Sequence, residues 1–525
     1  MEYERLHRCL PVVERVSSVG IIPKRPNSSL HAHACSFEKI CYIVRRMLSL
    51  LHPSWCFYAG VIGVIGGMIF SLSTGFSYFD GVAWLIAALA LLVLSIIISR
   101  RFCIVIAIAA GLIIASVRIA PELYGKEILA SLAGQDVRLS GTISEDPNGE
   151  NGNYKLRLKD IKIDFQGGES LEVAGVLYAQ LSTRAELERS DKITLAGKLN
   201  AGFGIFGGSL YRPELIAIER AEYGDIFARI KHGFADAIKA LIPAPEVDLG
   251  LGYLVGEKSG LSDEFSEQLR AVGMTHVVVA SGAHLGILIG AVRKIFGKIS
   301  RFAGALGAIL AIFAFAMMVG FTPSMTRAAI VAVLGILAGY VGRKFSPLRL
   351  ISFVAAITLL IDSMNLLNLG WQLSFASFFA ILALAPRVSK MLYGGKSPPW
   401  LASMLITSIT ASLVCAPILI YNFGTISLLS LVANLIILPT LPYAMFLVFA
   451  TGILSPVPLL ASLIARVATL LLDLHIFVIE FLSEQKMFIM ELPAGDWKIF
   501  LLYILIVGSL GWMMFRQRKP IKIPP

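Results

Sequence analysis

Long runs of apolar residues recur along this chain, separated by short polar segments that often contain Arg or Lys. Many runs reach about 18 residues, the length an α-helix needs to cross the hydrocarbon core of a bilayer. Backbone groups inside lipid must pair within their own segment, so each run is predicted to be a helix. The pattern predicts a membrane all-α helical bundle with about twelve spans. They cover residues 55–72, 82–98, 102–117, 275–292, 302–320, 327–341, 348–365, 371–386, 400–420, 427–454, 458–481 and 498–515.

Between the third and fourth apolar runs the hydrophobic period changes to two. Alternating apolar and polar positions are typical of half-buried strands. The phase slips at Lys159-Asp160, which indicates a β-bulge. Five short strands in about 100 residues predict an inserted small β-barrel of the OB type. The predicted strands are 136–143, 154–158 with its continuation to 163, 171–181, 193–199 and 214–218.

Two amphipathic segments follow the insert. Ile230, Phe234, Ile238 and Leu241 recur at helical spacing, which predicts a helix lying at the membrane interface. A second short helix is predicted to begin after Ser262 and to end at Gly273, because Ser caps helix N-termini and Gly ends helices.

Charge sets the orientation of the spans. Arg pairs at 45–46 and 100–101 favour the cytoplasmic side for both, so the insert is expected outside the cytoplasm. The polar, Arg-rich start reads as a cytoplasmic tail rather than a cleaved signal. The predicted organisation is a cytoplasmic N-terminal tail at 1–54, three transmembrane helices at 55–118, an extracytoplasmic OB-like domain at 119–225, amphipathic interfacial helices at 226–274, a second and larger transmembrane domain at 275–516 and a cytoplasmic tail at 517–525.

The composition agrees with a membrane protein, and the net positive charge does not by itself indicate a nucleic-acid-binding protein. The chain is 56% hydrophobic and 15% charged, with a net charge of +11. In membrane proteins such an excess usually reflects cytoplasmic Lys and Arg. The insert is itself acidic, with 17 Asp and Glu residues against 12 Lys and Arg residues, so an OB-like shape alone does not make it a nucleic-acid reader.

Polar residues at membrane depth are the candidate functional residues. An apolar run meets Ser281-Gly282-x-His284 and then turns helical, and an ionisable residue in a span is a functional candidate by default. The simpler alternative is a capped half-helix with a hydrogen-bonded His. For the other polar residues the alternative is ordinary helix–helix hydrogen bonding. Together they predict one polar, water-accessible interior lined or braced by Ser281, Gly282, His284, Arg327, Gln372, Ser374 and Asn434.

Pro439 and Pro442 lie within the apolar run at 427–454, which is therefore predicted to be a broken helix. Broken helices often mark transport sites, and a structural kink is the alternative.

The residue inventory favours no catalytic or metal site. None of the six cysteines lies in the insert, and their spacing offers no zinc pattern. No cofactor is expected. An intramembrane serine hydrolase is the enzymatic alternative, with Ser281 as nucleophile and His276, His284 or His475 as base, but no orienting carboxylate is evident nearby.

The stretch from Leu254 to Leu261, followed by His276 and by Ser281-Gly282-x-His284, resembles the core of the ComEC family of competence proteins. The resemblance implies an inner-membrane channel that passes single-stranded DNA into the cytoplasm during natural transformation, and that is not itself an enzyme. It implies single-stranded DNA and membrane lipids as partners, with a separate nuclease, a DNA receptor and a cytoplasmic helicase. Further similar stretches follow in the family's order: Arg327-Ala328, Asn368 to Phe375, and Asn434 to Pro439.

One feature departs from the family's pattern. Many members end in a metallo-β-lactamase-like domain, whose His-x-His-x-Asp-His site does not occur in this sequence. A nuclease activity is therefore not carried over to this chain. The alternatives to the DNA channel are a transporter of another anionic or lipid-linked substrate and a degenerate family member.

Overall fold

The computed structural model describes residues 54–74, 84, 86–91, 103–147, 152–165, 170–185, 187–220, 226–257, 260–278, 282–342, 346–394, 396–485 and 489–491, with single positions between 493 and 508. Residues 1–53 and 517–525 of the predicted tails, Ser281 and most of the predicted spans at 82–98 and 498–515 lie outside the described residues.

Helices make up most of the described chain, and they coincide with the apolar runs. Within the described part, seven helices are long and apolar enough to cross a membrane, and two shorter apolar helices accompany them. Their outer faces expose large apolar side chains such as Leu459 and Leu470, as expected of surfaces that contact lipid. The helices are α1 (Ser54–Thr74), α2 (Cys103–Ser131), α3 (Ile226–Lys239), α4 (Glu246–Val255), α5 (Asp263–Val272), α6 (Thr275–Val278), α7 (Gly282–Phe296), α8 (Arg301–Val319), α9 (Pro323–Tyr340), α10 (Pro347–Ile361), α11 (Leu369–Phe379), α12 (Ala385–Tyr393), α13 (Trp400–Phe423), α14 (Leu429–Leu454) and α15 (Pro458–Ser483).

The insert forms a closed barrel of five strands with two additional strands at its side. The barrel runs β1-β2-β4-β6-β5 and closes through β1 and β5, while β3 pairs with β2 and β7 with β5. Its core is filled by Leu and Ile side chains from the inward positions, and Leu129 of α2 packs beneath it. The strands are β1 (Asp136–Ile143), β2 (Asn153–Asp164), β3 (Ser170–Val173), β4 (Leu177–Ser182), β5 (Lys192–Ala201), β6 (Gly208–Tyr211) and β7 (Glu214–Glu219); a short hairpin, β8 (Thr425–Ser427) with β9 (Ile489–Glu491), lies elsewhere.

The structure corrects two of the sequence-based strand assignments. The predicted strand at 171–181 is divided into β3 and β4, because Gly175 adopts a φ of +125° that turns the chain. The short strand β6 was not predicted. The predicted phase slip is confirmed: the β1–β2 register shifts between Ser140 and Thr142, and Asp160 has a positive φ.

The predicted break in the helix at 427–454 is wrong, because α14 is continuous through Pro439 and Pro442. Each proline removes one backbone hydrogen bond, while Ile437, Leu441 and Ala444 are buried in the largest hydrophobic core and hold the helix in place. Within the predicted span at 275–292 the structure describes α6 and α7, and residues 279–281 between them lie outside the described residues.

Helices α1 and α2 pack closely at glycines of α1. A Cβ on Gly63 would lie 3.0 Å from Ile108 Cα and would overlap its carbonyl oxygen. A Cβ on Gly67 would lie 2.8 Å from Ala115 Cβ. Small residues let helix backbones approach closely in a membrane, where lipid supplies little hydrophobic driving force between helices.

Polar contacts join the barrel, and the helix α2 that leads into it, to the other helices. Arg118 of α2 donates to Leu360 O at 2.8 Å and to Ile361 O at 2.6 Å, satisfying the C-terminal carbonyls of α10. On the barrel, Arg189 donates to Met317 O of α8 at 2.7 Å. The nearly buried Lys231 of α3 pairs with Asp146 at 2.6 Å. The barrel therefore sits on the side where α8 and α10 end.

Candidate functional site: a buried arginine between three helices

Arg327 lies in the second turn of α9, close to the side that carries the barrel. The helix begins with Pro323 after Thr322, whose hydroxyl accepts from Met325 N at 3.3 Å. Arg327 is 7% exposed, and its Nη1 donates to the backbone oxygen of Ser374 on α11 at 2.8 Å. This hydrogen bond joins two helices that are distant in the sequence.

The remaining neighbours of the Arg327 guanidinium are aromatic. Its Cζ lies 5.0 Å from the ring centroid of Phe378 and 5.8 Å from that of Phe375. Such cation–π contacts stabilise a guanidinium by about 0.5–2 kcal/mol. Its Nε has no hydrogen-bond partner, and no ion pair among the described residues includes Arg327.

A permanent positive charge without an acidic partner is costly in an apolar bundle. Neutral carbonyl and aromatic contacts offset only part of that cost. Arg327 is therefore the candidate site for a transient anion, and its planar fork of donors fits phosphate.

Two further predicted residues lie beside Arg327. Ser374 Oγ is 3.3 Å from Ser324 Oγ of α9, so a pair of hydroxyls adjoins the guanidinium. Gly282, the first residue of α7, faces the same place, because a Cβ there would lie 3.9 Å from Arg327 Nη2 and 3.6 Å from Ala328 Cβ. The structure thus brings Gly282, Arg327 and Ser374 together from three helices.

His284 lies in the first turn of α7 and is buried. Its imidazole interacts with the backbone of Val277 and with His276 of α6, and His276 Nδ1 lies 3.1 Å from Gly273 O. His284 therefore links α7 to α6, and the next residue, Leu285, packs in a core shared with Met325 of α9.

Gln372 and Asn434 lie in other surroundings. Gln372 Nε2 donates to Leu366 O at 2.8 Å and braces the turn at Ser363–Leu367 that precedes α11. Asn434 is buried on α14, and its Oδ1 has no hydrogen-bond partner among the described residues. A single interior lined by all the predicted residues stays a prediction.

A second buried polar contact joins α14 to α15, and it involves residues that sequence reasoning did not connect. His475 Nε2 lies 2.7 Å from Thr440 Oγ1, which sits between the two prolines. The His475 ring packs edge-on against Tyr253 of α4, with centroids 5.7 Å apart. The spacing of His475 and Thr440 along the chain carries no signal that would have paired them.

The stretch around Glu257 forms a charged contact outside the spans. Glu257 accepts from Lys239 at 3.1 Å. Burial raises the pKa of Asp248 in α4, Lys239 opposes that shift, and Glu257 adds to it. Gly260 lies directly against the Asp248 carboxylate, so a larger residue there would require that carboxylate to move.

The fold and this geometry define a polytopic membrane protein with an inserted β-barrel and a buried, unpaired arginine in its helical bundle. The Competence protein family model matches residues 253–517, which contain α5 to α15 and every residue of the candidate site. The chain belongs to this family.

Two curated proteins are similar to it. ComE operon protein 3 of Bacillus subtilis (strain 168) is 25% identical over 255 residues, which are 46% of this chain and 32% of the relative. An uncharacterized protein of Aquifex aeolicus (strain VF5) is 28% identical over 272 residues, which are 50% of this chain and 60% of the relative. In both cases the similarity spans less than two thirds of the relative's length. No solved structure matches.

Proposed function

We propose that this protein is a channel of the bacterial inner membrane that passes single-stranded DNA into the cytoplasm during natural transformation. The observation that carries the proposal is Arg327, a buried guanidinium with no acidic partner in the described structure. A cation of this kind favours the passage of phosphates. Membership of the Competence family supports DNA as the cargo.

The proposal includes the finer architecture expected from the sequence. The bundle has about twelve spans, the N-terminus is cytoplasmic and the barrel is extracytoplasmic. The barrel is of the OB type, which is supported by its five-strand closure and by the parallel pairing of β4 with β6. The chain acts as a channel and not as an enzyme, together with a separate nuclease, a DNA receptor and a cytoplasmic helicase.

Transport of DNA is testable with the purified full chain in proteoliposomes. With a membrane potential that is positive inside, labelled single-stranded DNA should become resistant to added nuclease, and duplex DNA should not, because the proposed channel passes one strand. Protein-free vesicles are the control. Protection no greater than in those vesicles, with correctly inserted protein, contradicts the channel function.

A second candidate is a transporter of another anionic substrate, because an unpaired guanidinium binds phosphate and carboxylate groups alike. The same vesicles distinguish the two. Uptake of polyphosphate without uptake of single-stranded DNA favours the second candidate.

The orientation of the barrel is a separate prediction. A reporter that works only outside the cytoplasm should be active when fused after Gly149 of the insert. A reporter that works only inside should be active when fused after Lys344, because Arg and Lys flank the cytoplasmic ends of spans. Activity of a cytoplasm-only reporter at Gly149 would show that the topology is wrong.

A further inference from the structure

One helix, α11, supplies the groups that cover the Arg327 guanidinium. Nη1 of Arg327 donates to Ser374 O at 2.8 Å, and the rings of Phe375 and Phe378 lie against the guanidinium. On another side the neighbour is Gly282 of α7, which has no side chain to contribute. Movement of α11 alone would therefore uncover the cation.

The helix that carries these groups changes from α to π directly after them. α11 ends at Phe379, and residues Ala380–Leu384 form a π-helical segment that leads into α12 without a break. At the junction Ala385 N donates to Ala380 O, five residues earlier instead of four. Such turns are rare, and they occur frequently at functional sites.

The sequence gives a reason for the π segment and few contacts that would fix it. Pro386 has no N–H to donate to Leu382 O, and in an α-helix its ring would clash with that carbonyl. Arg387 donates through its side-chain Nη1 to Ala383 O, so a side chain supplies a donor to a carbonyl of the segment. Ala380 and Ala383 are buried, and their methyl groups interlock little with the neighbouring helices.

A return of the π segment to α geometry would turn α11. A π turn contains about one residue more than an α turn, and one residue of an α-helix corresponds to a rotation of about 100°. With α12 held in place, this rotation falls on α11. It would carry Ser374, Phe375 and Phe378 away from Arg327.

We propose that the rings of Phe375 and Phe378 form a gate over Arg327, and that the gate opens when α11 turns about the π segment Ala380–Leu384. In this structure the gate is closed, because both rings lie on the guanidinium. Apolar constrictions are a common means of closing a membrane channel to ions. The inference rests on the proposed function and deepens it, because it assigns control of passage past Arg327 to α11.

The movement of α11 can be tested with a disulfide between α9 and α11. The hydroxyl oxygens of Ser324 and Ser374 are 3.3 Å apart, so cysteines at these positions are close enough to be joined. Ser324→Cys/Ser374→Cys is made in a chain whose six native cysteines are replaced by alanine. Oxidation should abolish uptake of single-stranded DNA into proteoliposomes and dithiothreitol should restore it, because the disulfide holds the gate closed.

Ser71→Cys/Ser116→Cys is the matched control in the same cysteine-free chain. These two hydroxyl oxygens are 3.2 Å apart, are buried and join α1 to α2. Oxidation of this pair should leave uptake unchanged. Full uptake by the oxidised Ser324→Cys/Ser374→Cys protein, with its disulfide complete by mass spectrometry, overturns the gate and leaves the channel function intact. No uptake by the wild-type chain overturns both.

The role of the rings has a readout that does not depend on DNA. Phe378→Ala should let iodide leak from loaded proteoliposomes in the absence of DNA, because the cation is then uncovered. Phe379→Ala is the control, since Phe379 is the next residue and is 38% exposed on the helix surface. An iodide leak from Phe378→Ala no greater than that from Phe379→Ala overturns the gate.

The π segment can be tested with Pro386→Ala. Alanine supplies the missing donor for Leu382 O and favours α geometry, so this variant should also leak iodide without DNA. Pro347→Ala is the control, because Pro347 begins α10, where a backbone donor is not needed. Equal retention of iodide by the two proline variants overturns the hinge.

Discussion

Arg327→Ala is expected to lower uptake of single-stranded DNA by about tenfold to a hundredfold. The substitution removes the hydrogen bond that the charged guanidinium is proposed to donate to a passing phosphate, an interaction of about 1.5–3 kcal/mol, and each 1.4 kcal/mol corresponds to about a factor of ten. It also removes the cation beside Gly282 and Ser374. Uptake into proteoliposomes, normalised to the amount of inserted protein, is the measurement. Arg301→Ala is the matched control, because Arg301 is exposed at the start of α8 and should be dispensable.

Two further variants separate transport from packing at Arg327. Gln can still donate to Ser374 O but carries no charge, so Arg327→Gln should preserve the thermal stability of the protein and still lose uptake. Lys keeps the charge without the planar fork, so Arg327→Lys should retain part of the uptake. Normal uptake by Arg327→Gln would show that Arg327 only joins α9 to α11.

Gly63→Leu is expected to prevent the normal assembly of α1 with α2. Overpacking costs about 1–3 kcal/mol even where side chains can move aside. At Gly63 the obstacle is the backbone of Ile108, which cannot move without separating the helices, so the loss should exceed that range. The fraction of protein that remains monodisperse in detergent after heating measures it.

Gly66→Leu is the matched control on the same helix, because a Cβ at Gly66 meets nothing within 4 Å. This variant should behave like the wild-type protein. An equal loss of stability for Gly63→Leu and Gly66→Leu would mean that helix propensity or lipid contact, and not the α1–α2 contact, controls the result.

Much of the local structure could be predicted from residues that are close together in the chain. Ser262 caps α5 by accepting from Phe265 N, and Gly273 ends that helix in the left-handed conformation, as expected. The register shift near Asp160 also follows from the alternation of apolar residues. These features depend on hydrogen bonds and periodicities that extend over a few residues, so the sequence contains all the partners.

Helix continuity is a case in which tertiary packing overrode a local signal. Pro439 and Pro442 predict a break, and in isolation each would destabilise the helix. In the folded protein Ile437 and Leu441 are buried between α4, α5 and α15, and that packing holds α14 as one helix. Similarly, the closure of the barrel between β1 and β5 depends on pairing over some fifty residues, which no local pattern encodes.

The candidate site, too, was predictable from the sequence only in part. Polar residues at membrane depth could be identified along the sequence, because exposure to lipid is costly for each of them. Their partners could not: Arg327 meets Ser374 and Phe378 from another helix, while Gln372, only two residues before Ser374, turns to the backbone of Leu366. Four rings that contact one another on the barrel likewise come from two strands and a loop: Tyr178, Phe203, Phe206 and Tyr211. The free-energy cost of burying a polar group depends on the residue itself, so it can be inferred from the sequence. The partner that offsets this cost depends on how helices and strands far apart in the chain pack together.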